Sequence, residues 1–204
     1  MKKYKIGIYG SAVNNDNKID KKAIELAKAL SNYTIDAITG ACTGIPLIVA
    51  KELSKNGIHV YGYSHSLNRK QHKKDEFSDN ITAYKDLYFV PENFEHATYL
   101  EARKKYRNVV STAKCDGAII ISGRWGTLNE FTNLHDMGKV IGVLTGTGGI
   151  ADELKRFYKK INKKTKAKVF FNSSPKDLVD SIINELEKRQ SLLQGGSPEQ
   201  SRRA

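Results

Sequence analysis

One stretch of the sequence gathers small residues, a cation, a hydroxyl and a carboxylate at spacings that suit phosphate chemistry: Ser122-Gly123-Arg124-Trp125-Gly126-Thr127-Leu128-Asn129-Glu130. It follows the β-branched run Ile119-Ile120-Ile121 and opens a helical pattern. A strand that ends in a glycine-containing loop and turns into a helix leaves backbone N–H groups unpaired. It also sets the positive end of a helix dipole beside them, which together make a site for an anion such as phosphate. An anion is therefore expected on the loop Ser122–Thr127.

Glu130 has two readings. Thr127 to Glu130 has the spacing of a capping box, with Thr at the N-cap and Glu at N3, in which the carboxylate only satisfies backbone donors. The other reading places the carboxylate in a crevice as a chemical group. Arg107 stands in a base-rich helical pattern with Arg103, Lys104 and Lys105; Arg103 and Arg107 are four apart and share a face.

The strand–glycine–helix pattern recurs. Ile6–Tyr9 runs into Gly10-Ser11, Ile35–Ile38 into Thr39-Gly40-Ala41-Cys42-Thr43-Gly44, and Val140–Leu144 into Thr145-Gly146-Thr147-Gly148-Gly149. In an open parallel sheet such loops share one edge and build one site, so Gly10, Gly40, Gly44, Gly123 and Gly126 are expected to converge. Cys42 reads as a small residue fitting a tight turn rather than as a ligand contact.

These loops need a scaffold. Strand and helix patterns alternate, which predicts a three-layer α/β sandwich with a mostly parallel sheet of about seven strands. The strands are expected at Tyr4–Tyr9, Ile35–Thr39, His59–Tyr63, Asp86–Val90, Gly117–Ile121, Val140–Leu144 and Val169–Phe171. Several are continuously apolar, as strands covered on both faces are. Helices are expected at Lys21–Leu30, Ile45–Asn56, Ala97–Ala113, Leu128–Met137, Ile150–Ile161 and Pro175–Gln190. Gly57 and Gly138 fit helix-ending caps, and Ser174-Pro175-Lys176-Asp177 fits a helix start. The polar stretch Ser64–Tyr84 reads as a mobile excursion near the ligand edge. Residues 1–191 read as one domain, and 192–204, which lack periodicity, as a disordered tail.

The chain has 204 residues, 39% hydrophobic and 27% charged, which suits a soluble domain with one sizeable core. No apolar run is long enough to span a bilayer. Met1-Lys2-Lys3 leads straight into a strand without a signal-peptide core, and Cys42 and Cys115 offer no disulfide framework; both point to the cytoplasm. The net charge of +12 invites a nucleic-acid reading. Its densest clusters, Arg69–Lys74 and Lys159–Lys164, lack the interleaved aromatics of a stacking surface, so solvated faces account for them better. The histidines His59, His65, His72, His96 and His135 have no metal-ligand spacing, and there is no HExxH or CxxC motif.

Arg107-Asn108, Cys115-Asp116-Gly117-Ala118-Ile119-Ile120 and Gly123-x-x-Gly126-Thr127-x-x-Glu130 together resemble the signature of the LOG ("lonely guy") family, Rossmann-like nucleoside-monophosphate phosphoribohydrolases often mislabelled lysine decarboxylases. The family pattern is an Arg-Lys on a helix, an Ala/Ser-Asp before a strand, then PGGxGTxxE, and its Arg-to-Glu spacing fits Arg107 to Glu130 without a gap. Arg103-Lys104 reads as Arg-Lys but is out of register. Tyr9-Gly10-Ser11 and Thr39–Gly44 resemble the family's first two loops, so the likeness spans Lys5–Ala151. The chain departs from the pattern at Ser122 for Pro, Arg124 for Gly and Asn108 for Lys, and Thr145–Gly149 is richer in glycine than the family. These mark a divergent branch of a superfamily that also holds nucleotide sensors and carrier-like proteins.

The resemblance implies hydrolysis of the N-glycosidic bond of a nucleoside 5′-monophosphate to free base and ribose 5-phosphate. Glu130 would balance an oxocarbenium-like centre and activate water. Arg107 would anchor substrate and hold Glu130 ionised. Gly10, Ser11, Gly40, Thr43, Gly44, Gly123, Gly126 and Thr127 would bind substrate or phosphate, and Arg124 would either contact the phosphate or cover its place. Phe94 and His96 precede the Arg107 helix, where a structural role competes with a base pocket. The resemblance also implies a small-molecule nucleotide as partner, no cofactor or metal, and a homodimer or higher homo-oligomer with the site near the subunit contact. The alternative is a non-catalytic sensor or carrier of a nucleotide or pterin-like ligand, which Arg124 and Asn108 favour.

Overall fold

A computed structural model describes residues 2–13, 16–75, 80–161 and 163–194. Seven strands form one sheet: β1 (Tyr4–Gly10), β2 (Ile35–Thr39), β3 (Val60–Tyr63), β4 (Asp86–Tyr88), β5 (Gly117–Ile121), β6 (Val140–Leu144) and β7 (Lys168–Asn172). Every pairing is parallel, in the order β4-β3-β2-β1-β5-β6-β7. The helices are α1 (Asn17–Leu30), α2 (Ile45–Lys55), α3 (Arg69–Asp75), α4 (Leu100–Lys114), α5 (Trp125–Asp136), α6 (Gly149–Lys160) and α7 (Pro175–Gln194). The chain thus builds the α/β sandwich expected from its alternating pattern, with the Rossmann-like fold that the resemblance implies.

The continuous apolar runs are where they are because both sheet faces are covered. β2, β5 and β6 are buried along their whole length. One core layer joins Ile6, Ile8, Ile35, Ile119 and Ile121 to Leu26, Val49 and Ile182, under α1, α2 and α7. The other joins Tyr9, Ile38, Ala118 and Ile120 to Phe131, Leu134 and Leu154, under α5 and α6. Strand order reverses at β1, so the loops after β1 and β5 diverge there and leave a crevice at the strands' carboxyl ends.

Three expectations are corrected. Ser64–Tyr84 is not a bare excursion: among its described residues lie α3 and a 3-10 turn at Asn80–Ala83. Its Ser64, Ser66 and His72 side chains are buried and bond within the segment. Ser64 Oγ lies 2.9 Å from His72 Nδ1 and accepts from Ser66 N at 2.9 Å, and Ser66 Oγ donates to Asp75 Oδ2 at 2.9 Å. A segment held by side-chain hydrogen bonds carries no apolar period to read. Second, α7 continues through Gln194, so 192–194 are helical; residues 195–204 of the expected tail lie outside the described residues. Third, α5 begins at Trp125, three residues before the expected Leu128.

Candidate functional site

At the crevice, loops from β1, β2 and β5 meet α4 around a cavity of about 600 Å³. Of the residues singled out in the sequence, Gly10, Ser11, Gly40, Arg107, Arg124, Gly126, Thr127 and Glu130 line it, as does Cys42. Thr43, Gly44 and Gly123 do not. Thr43 donates its hydroxyl to Ala12 O at 2.9 Å, and Gly44 caps α2 at φ 70°. Gly123 (φ 95°) packs so tightly on Thr127 that a Cβ would meet its side chain at 2.5 Å. All three shape loops instead of facing the cavity.

The early start of α5 overturns the capping-box reading. Arg124 is the N-cap, with no side-chain capping bond. Thr127 therefore stands inside the first turn and Glu130 in the second. The N–H groups of Trp125, Gly126 and Thr127 have no acceptor within the helix, and all three residues line the cavity. Ser122 has φ 54°, a value a proline ring, fixed near −65°, cannot take. The loop thus differs from the LOG pattern in backbone as well as in residue.

The glycine-rich loop after β6 serves the loop after β5. Ser122 N donates to Thr147 Oγ1 at 2.8 Å, while Ile150 N and Ala151 N donate to Gly123 O and Ser122 O. Gly149 lies against Gly123 with no room for a Cβ. The free N–H groups of Gly146 and Gly148 bind the Asp152 carboxylate at 2.6 and 2.8 Å. The anion place of this loop is occupied by the protein's own acid, and no residue of Thr145–Gly149 lines the cavity. Its expected share in the common site is corrected accordingly.

Glu130 is 6% exposed, on the cavity. Burial pushes its carboxyl up to about 7, against the opposing pull of Arg107 and Lys105. Arg107 therefore does not hold it fully ionised, and the two make no direct ion pair. Tyr9 lies beneath, its hydroxyl 3.3 Å from Cys115 Sγ. Burial raises both, the thiol to about 12, so this floor adds no charge.

Arg107 is fixed from two sides. Its Nη1 donates to Gly40 O, and the guanidinium lies so close that a side chain at position 40 would push it out of this place. Its Nε donates to Asn108 Oδ1 at 2.9 Å. Asn108, 2% exposed, in turn donates to Asn129 Oδ1 at 3.0 Å and Gly126 O at 3.4 Å. The residue standing in place of the family's lysine thus ties Arg107 to the first turns of α5.

Sequence reasoning missed His65, Asp75, Lys104, Leu100 and Trp125, all on the cavity. His65 is 8% exposed; burial, reinforced by Arg107, pushes its imidazole down to about 4, against the pull of Asp75. It is neutral at ordinary pH. Only the position of His65 just beyond a strand could have flagged it. Phe94 and His96 do not line the cavity; Phe94 packs on Tyr106 and His96 at ring separations of 4.9 and 5.8 Å, the structural role. Among the described residues no cluster of His, Cys, Asp or Glu is arranged to hold a metal, and no helix is long and apolar enough to cross a membrane.

The fold is shared with solved structures of low identity. TM1055 is 17% identical with a TM-score of 0.70, over 89% of this chain and 99% of that one. The molybdenum cofactor binding protein of the phototrophic bacterium Rippkaea orientalis is 18% identical, TM-score 0.66, over 91% and 99%. DNA processing protein A of Helicobacter pylori, described with a single-stranded DNA binding mode, is 16% identical, TM-score 0.64, over 89% and 81%. No curated protein matches in sequence. The model of the SLOG cluster4 family matches residues 3–179, most of the chain, and the protein belongs to that family.

Proposed function

We propose that the crevice binds a nucleoside 5′-phosphate and hydrolyses its N-glycosidic bond. The observation that carries this reading is Glu130: a carboxyl buried on the crevice, released from any capping duty and poised near neutral pH. The phosphate lies on the unpaired N–H groups at the start of α5, with Thr127 and Arg124 beside it. Arg107 anchors the sugar end. The ionised Glu130 takes a proton from water as the water oxygen bonds to the anomeric carbon. The base leaves with the electron pair of the broken C–N bond and gains a proton. A base poised near the working pH suits this step. Incubation with a panel of nucleoside 5′-monophosphates should release free base and ribose 5-phosphate; no release from any of them overturns the proposal.

A second reading, binding without turnover, has its own support. Arg107 spends Nε and Nη1 on the protein rather than on Glu130, and a structural neighbour is a molybdenum cofactor binding protein. In either case the chain works as a homo-oligomer. A groove of about 500 Å³ between α5 and α6 is lined by Trp125, Leu128, Phe157, Tyr158 and Ile161, and Trp125 (82% exposed) borders groove and crevice alike. Such a patch suits burial against a second copy.

A further inference from the structure

The crevice has a second cationic wall that the phosphate loop does not use. It is built from α4 and the connection after β3. Lys104 and Arg107 line it. Arg103, one turn before Arg107 on the same side of α4, is 7% exposed, and its Nε and Nη1 have no acceptor. Two buried guanidinium nitrogens without an acceptor are unfavourable unless an anion enters their field. That field reaches the crevice: Arg103, Arg107 and Lys104 all act on the lining residue His65.

Among the described residues the nearby acids do not cancel it. Asp75 Oδ2 accepts the Ser66 hydroxyl at 2.9 Å and stands 3.7 Å from His65 Nε2. Glu101 lies 3.7 Å from Lys104 across an exposed pair, which contributes little. Glu130, poised near 7, is only partly charged. One phosphate at the start of α5 leaves this wall uncompensated, and a cavity of about 600 Å³ has room for more than a monophosphate.

We propose that the α4 wall is a second oxyanion subsite, centred on Lys104 in the field of Arg103 and Arg107, so that the ligand is a nucleotide carrying a second phosphate besides the one on the Ser122–Thr127 loop. This rests on the nucleotide reading above. The second phosphate belongs either to a 5′-diphosphate or to a separate position on the sugar.

Calorimetric titration with adenosine 5′-monophosphate, adenosine 5′-diphosphate and adenosine 3′,5′-bisphosphate tests it. At least one two-phosphate ligand should bind tenfold or more tighter than the monophosphate, and which one does so distinguishes the two sources. That ratio should fall below threefold in Lys104→Ala and persist in Lys159→Ala, an exposed lysine on α6 that controls for net charge. Equal affinity for all three ligands, or a ratio unchanged in Lys104→Ala, overturns the subsite. If no nucleotide binds, the nucleotide reading fails, and inorganic pyrophosphate still tests the subsite. A rise in melting temperature with the wild type but not with Lys104→Ala supports it; no rise with the wild type overturns it.

Discussion

Asn108 Oδ1 accepts the Nε–H of Arg107 at 2.9 Å, and the same amide reaches from α4 to Asn129 Oδ1 on α5 at 3.0 Å. Two helices that border the crevice are thereby locked through one buried side chain. The orientation of Arg107 and the position of the α5 N-terminus are set together.

Asn108→Leu keeps the branched shape but removes both bonds. It should destabilise the fold by about 1–3 kcal/mol, since Arg107 Nε and Asn129 lose partners. Nucleotide affinity should fall severalfold in the same variant. Thermal melting and calorimetry read the two effects, and unchanged affinity would show that Arg107 needs no fixing.

The pH dependence follows from Glu130. Catalysis by the ionised carboxylate makes kcat/KM rise with pH toward a plateau, with an apparent pKa of about 7 in the free protein. Initial rates between pH 5.5 and 8.5 test this. A profile flat across that range would remove Glu130 as the base.

Stability moves the other way. The folded carboxyl, at about 7, binds its proton more tightly than an ordinary one at 4.5. Its protonated form therefore favours the folded state at low pH, and that advantage is lost as pH rises from 4.5 to about 7. Glu130→Gln, neutral at all pH, should be more stable than the wild type at pH 8, by up to about 3 kcal/mol. The gap should close toward pH 4.5. Melting curves of both proteins across that range decide it; a variant less stable at pH 8 contradicts the cost assigned to burying this charge.

Ile161→Glu places a charge at the edge of the apolar α5–α6 groove, where Ile161 is 67% exposed. Light scattering should give a homo-oligomer for the wild type and a monomer for this variant. A monomeric wild type, or an oligomer indifferent to the change, would place the subunit contact elsewhere or remove it.

Much of this was legible in the sequence because it depended on local pattern. The β-branched runs of β5 and β6, buried on both faces, could be little other than central strands. The register of Arg107 to Glu130 brought both residues to the cavity. The boundaries failed where side chains overrode pattern. Thr127 and Glu130 have capping-box spacing, yet brackets from Thr147 and Gly149 hold the loop so that the helix starts at Trp125. The glycines of Thr145–Gly149 looked like a further anion loop, and only the Asp152 carboxylate reveals that its place is filled. The wall formed by His65 and Asp75 was invisible because its order comes from polar bonds among Ser64, Ser66 and His72.

The central claim is that Glu130 does chemistry in the crevice. Turnover of nucleoside 5′-monophosphate by Glu130→Gln beside the wild type tests it most directly. An amide can neither accept the proton from water nor balance an oxocarbenium charge, so the variant should lose about 10²-fold or more in kcat while still binding the nucleotide. A Glu130→Gln protein that releases free base at the wild-type rate would contradict the assignment.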